Sequence, residues 1–132
     1  MGKIFFKIDE KRGIVNTTCT GKISLDDLRE HTLAVVYDPK FRKGMNTITD
    51  IREADFNYSF FTSKSFRDYI RDYEESRGEF KWAIIIDMQK NHSPVQLFHD
   101  LAKDGLFSIK LFENRDDAEK WICSKTPEEQ QC

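Results

Sequence analysis

The sequence predicts a single α/β domain: a mixed four- to five-stranded sheet with an N-terminal hairpin and about four helices. Three observations predict it. Two β-rich runs flank a polar, glycine-containing turn near the N-terminus. Three later β-rich runs are each preceded by a segment of helical periodicity. The chain, at 132 residues, has the length of one ordinary domain. Strands separated by single helices imply parallel pairing behind the antiparallel hairpin, because each crossover returns the chain to the same end of the sheet.

The hairpin is read from "KIFFKI" at residues 3–8 and "IVNTTCTG" at 14–21, with "DEKRG" between them as the turn. Gly21 ends it. Ser24 then caps the first helix, and Asp27, at the third helical position, completes a capping box. Leu25, Leu28, Thr32, Val35 and Val36 form one apolar stripe, and Pro39 stops the helix through its effect on the residue before it. "TITDI" at 47–51 is the next strand. Phe66, Tyr69, Ile70 and Tyr73 follow as the buried face of a second helix. Arg67, Asp68, Arg71, Asp72, Glu74 and Glu75 take its wet face, and Gly78 is its C-terminal stop. "KWAIIID" at 81–87 is apolar without alternation, as expected of a central strand covered on both faces. Ser93, Pro94 and Gln96 signal a third helix, with Leu97, Phe98, Leu101 and Ala102 inward and Gly105 as terminator. "FSIKLFE" alternates as the last strand. Asn114 caps the final helix, whose Ala118, Trp121 and Ile122 face inward. The predicted order is ββαβαβαβα, with a domain over residues 1–125 and a flexible tail over 126–132.

Composition excludes several classes. Lys and Arg number 21 against 23 Asp and Glu, and they are spread along the chain, which argues against a nucleic-acid partner. No run approaches the length of a membrane span, and the N-terminal apolar stretch is short and flanked by charge, a poor signal peptide. Gly2 invites a myristoylation reading, but Phe6 stands where that pattern wants Ser or Thr. Cys19, Cys123 and Cys132 form an odd set without CxxC spacing, which predicts reduced thiols and a cytoplasmic location.

Two longer stretches carry a resemblance. "YDPKFRKGMNTITDIREADF" at 37–56 and "IKLFENRDDAEKWI" at 109–122 are similar to the SpoIIAA-like family of small bacterial proteins, which sits with the STAS domains (sulfate transporters and anti-sigma-factor antagonists). The likeness is sharpest at Asp38-Pro39-x-Phe41, at Asp50-x-Arg52, and at the spacing of Phe112, Ala118 and Trp121. It spans nearly the whole chain in element order. The resemblance implies a four- or five-stranded sheet with helices mainly on one side, and a non-enzymatic interaction or regulatory module. Related domains are switched by phosphorylation at an Asp-Ser-Ser-Gly helix start. Counting forward from Asp50, the matching positions are Tyr58, Ser59, Phe60 and Phe61, so the motif is broken everywhere except Ser59, and phosphorylation is not expected. The same architecture resembles lipid-carrying domains, which keeps a carrier of a small hydrophobic or amphipathic ligand as the alternative.

In open α/β sheets ligands collect beyond the carboxyl ends of the parallel strands. Asp50, Arg52, Asp87 and His92 are the ligand-binding candidates there, with Glu113 and Asn114 near them. A His beside carboxylates has acid–base potential, so an enzyme using Asp50, Asp87 and His92 is a third reading. The plainer one has Asp50 and Asp87 accepting from loop amides, Asp50 paired with Arg52, and His92 solvated. His31, His92 and His99 lack metal-ligand spacing, and the glycines form no phosphate-cradling loop, so no metal and no cofactor are expected. Cys19 and Cys123 read as packing. Phe56, Tyr58, Phe60 and Phe61 crowd a segment that one helical face cannot bury. They are core, or a surface for a protein partner or a second copy, or the roof of a cavity. Tyr58, Phe60 and Phe61 are the interface candidates.

Overall fold

A computed structural model of the chain describes residues 2–55, 64–87, 89 and 107–123. The β-branched and aromatic runs form five strands: β1 (Lys3–Asp9), β2 (Ile14–Lys22), β3 (Asn46–Asp55), β4 (Phe80–Ile85) and β5 (Phe107–Phe112). They make one sheet in the order β1-β2-β3-β4-β5. The β1–β2 hairpin is antiparallel, and every later pairing is parallel, as the alternation of strands and helices predicts. Three helices are described: α1 (Leu25–Val36), α2 (Lys64–Arg77) and α3 (Arg115–Ile122). The helix expected from Ser93 to Gly105 lies outside the described residues, as do residues 56–63 and 126–132.

Local chemistry sets the helix ends. The Ser24 side chain accepts from the Asp27 amide while Asp27 accepts from the Ser24 amide, a reciprocal cap that satisfies two donors with no intrahelical partner. Asn114 caps α3 by accepting from the Asp117 amide at 2.9 Å. Gly78 follows α2 with φ +81°, a left-handed conformation that only glycine adopts without steric cost.

β4 decides the layering. Trp82 and Ile84 point to one face of the sheet, where they pack with Cys19, Ile51, Tyr69 and Tyr73 under α1 and α2. Ala83 and Ile85 point to the other, where they meet Ile14, Ile48, Ala118 and Ile122 under α3. Two of the three described helices, α1 and α2, thus share one face, and α3 lies on the other. A strand with apolar residues on both faces needs cover on both, and α3 supplies it.

β3 is longer than its apolar core suggests. It runs on to Asp55, five residues past the point where Asp50 pairs with the end of β4, and this overhang pairs only with β2. Between the pairs Thr18↔Asp50 and Thr20↔Glu53 the register shifts, β3 advancing three residues while β2 advances two. That bulge reverses the strand's parity, so that Ile51 and Ala54 both face the α1–α2 core. Bulges of this kind re-aim side chains near functional edges.

Between α2 and the sheet runs a buried polar line. Tyr69 shares a 2.9 Å hydrogen bond with Thr32 of α1. One turn on, Tyr73 accepts from the Arg77 guanidinium at 2.9 Å, and Arg77 also donates to Thr47 of β3. Arg77 is wholly buried. Burial pushes both tyrosine hydroxyls above their ordinary range, so they stay neutral donors and acceptors.

Candidate functional site

The register places one row of residues across all five strands: Phe5, Thr18, Asp50, Ile85 and Phe112. Asp50 is its polar centre, and it sits where β4 ends. Arg52 lies two residues on, at the bulge, and the pair closes bidentately. Oδ1 accepts from Arg52 Nε at 3.1 Å and Oδ2 from an Arg52 terminal nitrogen at 2.7 Å. The Arg52 amide also donates to Oδ1 at 3.1 Å. Charge-assisted pairing of this form is short and directional. Partial burial pushes the Asp50 carboxyl up, but the Arg52 hydrogen bonds and the charges of Arg52 and Arg115 outweigh it and hold the group below the usual carboxylate range. Asp50 is therefore a fixed carboxylate at neutral pH.

One residue that the spacing did not single out acts on the pair through its charge. Arg115, the first residue of α3, donates to Asn16 of β2 at 3.2 Å and adds its charge to the field at Asp50. Arg115 and Asn16 are 99 positions apart, and no local motif announces a contact made by topology alone. Asp87 lies just past β4, exposed, and accepts from the Gln89 amide at 3.0 Å, the loop-amide role that the plainer reading gave it. Asn114 serves as the α3 cap and Glu113 is exposed. Of the four ligand-binding candidates, the structure brings Asp50 and Arg52 into direct contact and places Asp87 beyond the neighbouring strand end. His92 lies outside the described residues. So do Tyr58, Ser59, Phe60 and Phe61.

Among the described residues, the Cys19 thiol and the His31 imidazole are both held away from neutral pH. Cys19 is a free, buried thiol, pushed up to about 12 by burial and then by the Asp50 charge. A protonated thiol is a poor nucleophile. Folded protein is accordingly expected to resist iodoacetamide at Cys19 at neutral pH and to become modified only in denaturant, as peptide mass mapping reads. His31 is pushed down to about 4 by burial and then by the Arg77 charge. Cys123 packs against the core layer under α3.

No protein-family model matches the sequence, and no curated protein matches it significantly. Solved structures do match. An uncharacterised protein with a SpoIIAA-like fold from Shewanella loihica superposes with a TM-score of 0.60 at 18% identity, over 93% of this chain and 96% of its own. An anti-sigma factor antagonist from Mycobacterium paratuberculosis superposes with a TM-score of 0.57 at 16% identity, over 92% and 96% of the two chains. The fold is SpoIIAA-like. Near-complete coverage of both chains means that the SpoIIAA-like core accounts for the hairpin, the parallel strands and the flanking helices together, not for a shared fragment. No described helix is long and apolar enough to cross a membrane.

Proposed function

We propose that this chain is a non-enzymatic interaction module of a regulatory kind, presenting the surface at the carboxyl ends of its parallel strands to a protein partner. The observation that carries this reading is the Asp50–Arg52 pair. A general acid or base must exchange its proton near the working pH, and Asp50 is instead locked as a carboxylate by Arg52. A rigid, oppositely charged pair at a sheet end suits recognition, where fixed geometry favours specificity. The likeness to an anti-sigma factor antagonist supports a protein partner, and Tyr58, Phe60 and Phe61, which follow β3 in sequence, are the proposed contact residues. Ser59 is not a switch in this reading, because Tyr58, Phe60 and Phe61 replace the rest of the phosphorylated motif.

Native mass spectrometry of freshly purified full-length chain, before and after organic extraction, tests the proposal. The expected result is the bare polypeptide or a whole multiple of it in both spectra. An extractable small molecule would replace the module with a carrier, and a phosphate adduct mapped to Ser59 would restore the switch.

A further inference from the structure

β1 is the outer strand on the hairpin side, and β2 occupies only one of its two edges. Among the described residues nothing pairs with the other. The free edge is seven residues long and pairs with β2 without a register shift. Such edges invite another strand unless charge or proline guards them. Here the charges are arranged to admit one partner.

The geometry points to a second copy of this chain, pairing β1 to β1 in antiparallel fashion about a two-fold axis at Phe6 and joining two sheets into one. In that register Lys3 faces the partner's Asp9, Ile4 faces the partner's Ile8, Phe5 faces the partner's Lys7, and Phe6 faces its own copy. Opposed residues share a face, so Ile4, Phe6 and Ile8 line the helix side, while Lys3, Phe5, Lys7 and Asp9 line the other. Phe5 is 58% exposed, and the stem of the partner's Lys7 covers it. A slip of the axis by one residue either way destroys the match. One direction sets Lys3 against the partner's Lys7, and the other sets Lys7 against its own copy and Phe5 against the partner's Asp9. Only full overlap unites opposite charges.

The edge also has room. A groove of about 390 Å³ runs between residues 2–6 and the Asp27, Glu30, His31 and Ala34 side of α1. Consecutive strand residues line it, as a free edge would, and the added strand's helix-side residues enter there. This inference goes beyond the module reading and fails separately from it, since a monomer leaves that reading intact.

Analytical ultracentrifugation of the full chain across a concentration series tests it. The wild type is expected to sediment as a dimer. Lys3→Asp or Asp9→Lys, each setting like charges face to face twice per dimer, is expected to weaken it about ten-fold or more. An equimolar mixture of the two variants rebuilds both ion pairs in every heterodimer, so dimer is expected to return. A monomeric wild type, or a mixture as weak as either variant alone, overturns the proposal. Asp9 also accepts from the Arg12 amide in the turn at 3.1 Å, so Asp9→Lys is checked for folding by circular dichroism. Phe6→Cys gives an independent readout, because position 6 meets itself across the axis within near-disulfide reach. Oxidation is expected to yield a reducible covalent dimer that the wild type does not form, and its absence overturns the register.

Discussion

Arg77→Ala is expected to lower the free energy of unfolding by about 3–5 kcal/mol, whereas Arg77→Met should stay within about 1 kcal/mol of wild type. The difference follows from what surrounds the side chain. The guanidinium carbon lies 5.0–5.2 Å from the ring centroids of Phe41, Tyr73 and Phe80. Two of its nitrogens donate to the hydroxyls of Tyr73 and Thr47, and Nε has no hydrogen-bond partner among the described residues. Ring faces and the carbonyl end of α2 favour the cation, but neither replaces the water it has lost. Truncation to alanine empties one of the largest fully buried side chains and takes a charged donor away from each of two hydroxyls. Methionine keeps most of the volume and removes an incompletely bonded charge, so its loss and gain nearly cancel. Urea unfolding of the three proteins reads the effect. Equal destabilisation by alanine and methionine would show that the charge itself holds this layer together.

Acid is expected to cost the fold about 2–3 kcal/mol at His31 alone as pH falls from 6.5 to 4. The imidazole sits between the Phe6 ring, edge-on at 5.5 Å, and the Thr17 hydroxyl at 3.4 Å. Burial, and then the charge of Arg77, push it down to about 4 from an ordinary value of 6.5. Above pH 6.5 the ring is neutral in both folded and unfolded chains, and its contribution is flat. Between 6.5 and 4 the unfolded chain takes up a proton that the folded chain refuses, so stability drops with falling pH. Below about 4 both states are protonated and the loss is complete. The ring is partly exposed, which keeps the figure below the full value of the shift. His31→Gln should flatten this segment of the stability–pH curve. Asp50, whose carboxyl is held low by Arg52, adds its own loss only at more acid pH. Denaturant unfolding at several pH values checks the window, and an unchanged slope in His31→Gln would contradict it.

Elements written by local chemistry were legible in the sequence. The Ser24–Asp27 box, the Asn114 cap and the stop at Gly78 each rest on a few neighbouring residues, and the structure uses all three. The unalternating "KWAIIID" foretold a strand covered twice. What escaped was set by tertiary context. β3 looked finished at Ile51, because its polar overhang is held by β2 alone and bent by a bulge. Arg77 belongs to the stripe of Tyr69 and Tyr73, one turn further on, and its place on that face was a readable sign of burial that a charged side chain conceals. Within the site, the Asp50–Arg52 contact was readable as two opposite charges two residues apart, while the contact of Arg115 with Asn16 needed the fold.

The central claim is that the Asp50–Arg52 pair is a fixed recognition element and not an acid–base group. Its most direct test is a carbon-13 NMR titration of the Asp50 carboxyl in the folded wild-type chain and in Arg52→Ala. Titration is expected below the ordinary aspartate range in the wild type, with full ionisation throughout the neutral region, and a shift upward when Arg52 is removed. A carboxyl that titrates near neutral pH in the wild type would contradict it, and would return Asp50 to the roles open to a general acid or base.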